Sequence, residues 1–73
     1  MKNQISVFIG SDEFSCIEYY DADACMSGVE IFEAMEHKYL GKIDGLTVPD
    51  IDDEDSTIIF NAEVENYLNE NYF

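Results

Sequence analysis

Any compact form of this chain has to hold together against its own charge. Seventeen acidic residues oppose three lysines, Lys2, Lys38 and Lys42, and there is no arginine, so the net charge is −14 over 73 residues. Solubility in a small domain needs a magnitude of only about 2 to 8, and the excess raises the free energy of every compact state through self-repulsion. Yet 47% of the residues are apolar and 14% aromatic, with five Tyr and five Phe. Acidic disordered segments lack that content, so the composition points to a single folded domain spanning residues 1–73, near the lower size limit for one unaided core.

Along the chain, Ile5, Val7 and Ile9 alternate with polar positions as in a half-buried strand, Gly10 to Glu13 is turn material, and Phe14 to Tyr20 is again β-prone. An N-terminal β-hairpin follows. Ser27 and Glu30 have the spacing of a capping box, and Ile31, Phe32, Met35 and Tyr39 recur at helical spacing up to a candidate terminal glycine, Gly41. That pattern predicts a central helix over 27–40 whose apolar stripe includes Phe32 and Met35. Residues 41–56 read as a linker, with Leu46–Val48 as a short strand and Ile43, Leu46, Val48 and Ile51 tacking it to the core. The apolar run Thr57 to Phe60 reads as a strand over 57–60. Asn61 is placed to cap a C-terminal helix over 62–72 with Val64, Tyr67, Leu68 and Tyr72 on one face. The expected class is α+β.

Few catalytic combinations are present. His37 is the only histidine, at a position that suits a helix C-terminus. Cys16 and Cys25 lack the spacing of a redox or zinc pair and read as free, buried thiols in structural roles, with one disulfide between them as the alternative. The four glycines form no phosphate loop, and an anionic surface without arginine is unsuited to nucleic acid itself. A calcium loop starting at Asp52 would offer Glu54, Ser56 and Glu63, but Thr57 stands where glycine is needed and Pro49 where a helix should run. The expectation is no enzyme, no cofactor and no dedicated metal site. The apolar run near the N-terminus is too short for a signal-peptide core and no stretch approaches a membrane span, so a cytoplasmic location is expected.

What remains is the geometry of charge. A 73-residue domain is about 29 Å across from its expected radius of gyration, and duplex DNA of that length carries about 17 charges. The acids to which partner binding is assigned are Asp50, Asp52, Asp53, Glu54 and Asp55, five acids in six positions, with a second cluster of Glu30, Glu33 and Glu36 fanned over the outer face of the expected central helix. Tyrosines interleave with acids at Glu18-Tyr19-Tyr20-Asp21, a combination suited to Lys and Arg through ion pairs and cation–π contact.

Small size, high negative charge, missing arginine, and acids strung along Glu30, Glu33, Glu36, along Glu63, Glu65, Glu70 and along the Asp50–Asp55 segment resemble phage-encoded DNA-mimic inhibitors: anti-CRISPR proteins, anti-restriction proteins and uracil-DNA glycosylase inhibitors. These share a physical strategy rather than a motif, so the resemblance carries no site residue by residue. It implies a partner that is a nuclease, a CRISPR effector or another basic DNA-binding defence protein in the host cytoplasm, inhibited by occlusion of its nucleic-acid channel. An immunity protein or antitoxin neutralising a basic toxin is equally acidic, and a small cation-binding or scaffold module is a further alternative.

Overall fold

In the computed structural model, which describes residues 3–50 and 52–73, the chain is α+β: four strands in sequential order followed by one long helix. The strands are β1 (Gln4–Ile9), β2 (Asp12–Asp21), β3 (Met26–Glu33) and β4 (Lys38–Asp44), and the helix α1 is Glu54–Asn71. They form one antiparallel meander in the order β1-β2-β3-β4. Its register pairs Val7 with Phe14, Ile5 with Cys16, Cys16 with Ile31, and Val29 with Ile43. One sheet face therefore collects Ile5, Val7, Ile9, Phe14, Cys16, Val29, Ile31 and Ile43, because side chains on a strand alternate and directly paired residues share a face.

The N-terminal hairpin forms as its alternation implies, with Gly10 at a φ of 64° in the tight turn. The helix expected over 27–40 does not form. Its residues are β3, a four-residue turn and the start of β4. Val29 and Ile31 point inward and are fully buried, whereas Phe32 is half-buried on the opposite face and Met35 is 88% exposed at the turn. The physical reason is the β-branched pair Val29 and Ile31, spaced two apart, which completes the apolar face of the adjacent hairpin. A helix would have left that face uncovered. Ser27, expected as a helix cap, instead accepts the Gly45 N–H at 2.7 Å through its backbone carbonyl. His37 sits in the β3–β4 turn at a φ of 56°, not at a helix end.

The expected strand over 57–60 is helical, and the C-terminal helix starts eight residues earlier than the 62–72 reading. Its N-cap is Asp53, whose carboxylate accepts the Ser56 N–H at 3.1 Å and the Ser56 hydroxyl at 2.8 Å. Asn61, expected as the cap, lies mid-helix, where its side-chain oxygen is buried without a hydrogen-bond partner among the described residues. Phe60, Val64 and Leu68, at helical i, i+4, i+8 spacing, are buried and join Val7, Phe14, Cys16, Val29 and Ile31 in one core. Tyr67 lies against Gly41, where a Cβ would run into the tyrosine ring. The connection 46–50 is irregular rather than a strand. Leu46 and Val48 do pack against the core, as does Ile43, which belongs to β4; Ile51 lies outside the described residues.

Two consequences can be measured. Phe14 is 1% exposed, so Phe14→Ala should cost about 3–5 kcal/mol, a large share of a small domain's stability. Phe32→Ala, on the far face, should leave a cooperative fold with only a small shift in melting temperature. Extensive unfolding by Phe32→Ala would restore the helical reading of 27–40. Separately, the hydrogen bonds from Ser56 hold the Asp53 carboxyl below its usual range. A depressed folded pKa gives stability that is present above the unfolded pKa and lost as the pH falls through the folded one. Asp53→Ala should therefore lower the melting temperature at neutral pH and progressively less in acid. A loss unchanged down to strongly acidic pH would contradict the capping role.

Candidate binding surface

Because α1 covers one face of the sheet only, the other is open. Its rows run Ser6–Ser15–Phe32–Tyr39, then Gln4–Ile17–Glu30–Lys42, then Tyr19–Gly28–Asp44. Phe8 lies beyond the first row, opposite Glu13, and is 68% exposed. Phe32 meets Tyr39 edge-on, with ring centroids 5.5 Å apart. Toward the other end, the Tyr19 ring borders Gly28, whose missing Cβ lets the backbone of β4 and the ring approach. The Tyr19 hydroxyl donates to the Asp44 carboxylate. Lys42 Nζ lies 5.3 Å from the centre of that ring and 3.9 Å from Asp44 Oδ1. The face thus already holds one ammonium between an aromatic ring and a carboxylate, the chemistry by which it would take a Lys or Arg from outside.

The hydrogen bond to Asp44 stabilises protonated Tyr19 and, with some burial and nearby negative charge, pushes its pKa up to about 12. Cys16 is pushed up to about 12 by burial alone, which suppresses thiolate chemistry there. Both cysteines are free, as expected, but only Cys16 is buried; Cys25 is exposed, because it lies in the β2–β3 turn and not on the inward face of a strand.

The expected acids fall into one real group and one that disperses. Asp50, Asp52, Asp53, Glu54 and Asp55 gather at the start of α1, all exposed. Several also serve local backbone needs: Asp50 accepts the Asp52 N–H at 3.2 Å, Asp53 caps the helix, and Glu54 and Asp55 lie in its first turn, where negative charge favours the dipole. Glu30, Glu33 and Glu36 do not share a helical face. Glu30 stands mid-way along the open sheet face beside Lys42. Glu33 ends β3 with its carboxylate accepting the N–H groups of Met35 at 3.0 Å and Glu36 at 2.9 Å, and Glu36 is exposed in the turn. Glu33 instead joins Asp12 and Glu13 around a shallow notch between the two turns at that end.

Residues 54–63 of the candidate calcium loop are helical and cannot wrap an ion. Among the described residues no group of three or more His, Cys, Asp or Glu converges as a metal site, and no helix is long and apolar enough to cross a membrane. Sequence reasoning missed the open aromatic face, although the alternation Ser15, Ile17, Tyr19 and Glu30, Phe32 carried it. No family model, curated protein or solved structure matches this chain.

Tyr19 supplies a direct check. Its ring should titrate near pH 12, and Asp44→Asn should bring it down toward the ordinary tyrosine value, as read by the ring resonances in NMR. An unchanged titration in Asp44→Asn would show that the hydroxyl is not held by Asp44.

Proposed function

We propose that this protein is a non-catalytic binding protein that occupies the basic, nucleic-acid-binding surface of another protein, a nuclease or other DNA-binding defence protein, and so keeps nucleic acid off it. The observation that carries this reading is uncompensated charge. Among the described residues no charged side chain is buried, and the one ion pair is Lys42–Asp44 at 3.9 Å. A folded body that leaves nearly all of its seventeen acids unpaired presents a field suited to a surface built for phosphates. Size agrees. The longest extent of the molecule is 36 Å, over which duplex DNA carries about 21 charges.

The acids are spread over the start of α1, its outer side at Glu63, Glu65 and Glu70, the turn bearing Glu36, and the notch at Asp12, Glu13 and Glu33. That distribution favours several weak, additive contacts, steering association over long range, above one dominant ion pair. The open face adds rigid aromatic contact area at Phe8, Phe32 and Tyr39. The cytoplasm of a host cell is the compartment this function requires.

The test uses the tagged chain to capture its partner from a host lysate, followed by displacement of fluorescent duplex DNA from that partner. The chain should displace the duplex, more effectively at low salt. Neutralising Asp52, Glu54 and Asp55 together to Asn, Gln and Asn spares the Asp53 cap and should weaken displacement about tenfold, the sum of three exposed charge contacts. A ternary complex in which the partner keeps its full DNA affinity would refute the reading and favour an immunity-type or allosteric inhibitor.

A further inference from the structure

The two edges of the sheet are built differently. β4 has the features that protect an edge strand from pairing with other chains: Lys38, Lys42 and Asp44 along its length and a register irregularity opposite Ile31 and Phe32. β1 has none of them. Gln4–Ile9 contains no charge, proline or glycine, and it pairs regularly with β2 through all six residues. In a chain with seventeen acids, a neutral, regular edge is the exception.

Backbone geometry shows what that edge presents. The Asn3 carbonyl accepts the Glu18 N–H at 2.9 Å, so the Asn3–Glu18 pair is hydrogen-bonded. By the alternation of an antiparallel ladder, so are Ile5–Cys16 and Val7–Phe14. The N–H and C=O groups of Gln4, Ser6 and Phe8 therefore point away from β2, and these three residues are exposed. Asp50 lies beside Asn3 and Gln4 at one end of the strand, and Asp12 pairs with Ile9 at the other. Six residues of strand span about 20 Å between those carboxylates.

We propose that β1 is a docking edge that accepts an extended, basic segment of the partner as a fifth strand. The inference rests on the functional reading above and names the partner element it engages. Main-chain hydrogen bonds to Gln4, Ser6 and Phe8 supply the pairing, as in other strand-addition modes. Alternate side chains of the added strand continue the two faces of the sheet. Those on the helix side are apolar, extending Ile5, Val7 and Ile9. Those on the open side and at the ends are Lys or Arg, meeting Glu13, Asp12 and Asp50. Charge complementarity selects this occupant over a second copy of the chain, which would bring another −14 against the first.

The probe is an eight-residue peptide alternating Lys and Val, at low salt, with hydrogen exchange of the chain's amides read by NMR. Exchange at Gln4, Ser6 and Phe8 should slow about tenfold, with Ile5 and Val7, already in the ladder, little changed. Ser6→Pro removes an outward N–H that β2 does not use and should weaken peptide binding about tenfold, whereas Ser6→Ala should bind as the parent does. If Ser6→Pro does not fold, the exchange pattern decides alone. Peptide binding, or its absence, with those three amides unprotected overturns the proposal. So does equal protection by a Gln–Val peptide, or protection that grows with protein concentration alone and so marks self-pairing. A chain that displaces DNA from its partner while β1 stays unprotected keeps the functional reading and loses the edge; protection in a chain that displaces no DNA does the reverse.

Discussion

The seating of α1 on one face of the meander is the contact on which the rest of this structure depends. A four-stranded sheet with an apolar face is not stable in water until that face is covered, and α1 is the one helix among the described residues that covers it. Phe60, Val64 and Leu68 close over Val7, Phe14, Cys16, Val29 and Ile31, and these eight side chains are the buried core. Every carboxylate is held outside it, so the apolar contact opposes the repulsion of a −14 surface without help from buried ion pairs. Close approach at Gly41, beneath Tyr67, lets the helix lie against β4 as well as β1.

One helix against one sheet leaves the opposite face bare, and the candidate binding surface follows from that asymmetry. Phe8, Phe32, Tyr39, Tyr19 and Ile17 are there because strand alternation sends every second residue away from the core. Lys42, held by Tyr19 and Asp44, keeps one cradle occupied by the chain's own ammonium. The acids at the start of α1 have a double character. Helix capping and the helix dipole favour acids there in any protein, which explains Asp53 and contributes to Glu54 and Asp55. It does not explain the excess at the two ends of β2, at Asp12, Glu13 and Asp21, in the turns at Asp23 and Glu36, or along the outer side of α1.

Much of this was legible in the sequence where pattern and context agreed. The N-terminal hairpin had both strict alternation and a glycine turn, and the stripe of Val64, Tyr67 and Leu68 had length and helical period. The Asp50–Asp55 group survived because adjacent residues stay together in any fold. The region 27–40 failed because two patterns were superimposed on it. Ile31, Phe32, Met35 and Tyr39 fit a helix, while Val29 and Ile31 fit a strand, and the deciding factor was long-range: the hairpin before it needed a partner strand. The loss of Glu30, Glu33 and Glu36 as one face is the same error carried into function. Thr57 to Phe60 shows the complementary ambiguity, since a short apolar run has no period of its own. Ile58 and Ile59 are exposed on α1, and only Phe60 faces the core.

If the acidic body takes the place of nucleic acid, its footprint on the partner must be the nucleic-acid footprint. Hydrogen exchange of the captured partner, read by mass spectrometry with this protein bound and then with duplex DNA bound, measures that directly. Protection of the same basic segments by both ligands is the predicted result. Protection of separate segments, with the DNA-binding segments still exchanging freely in the protein complex, would contradict occupation of that surface.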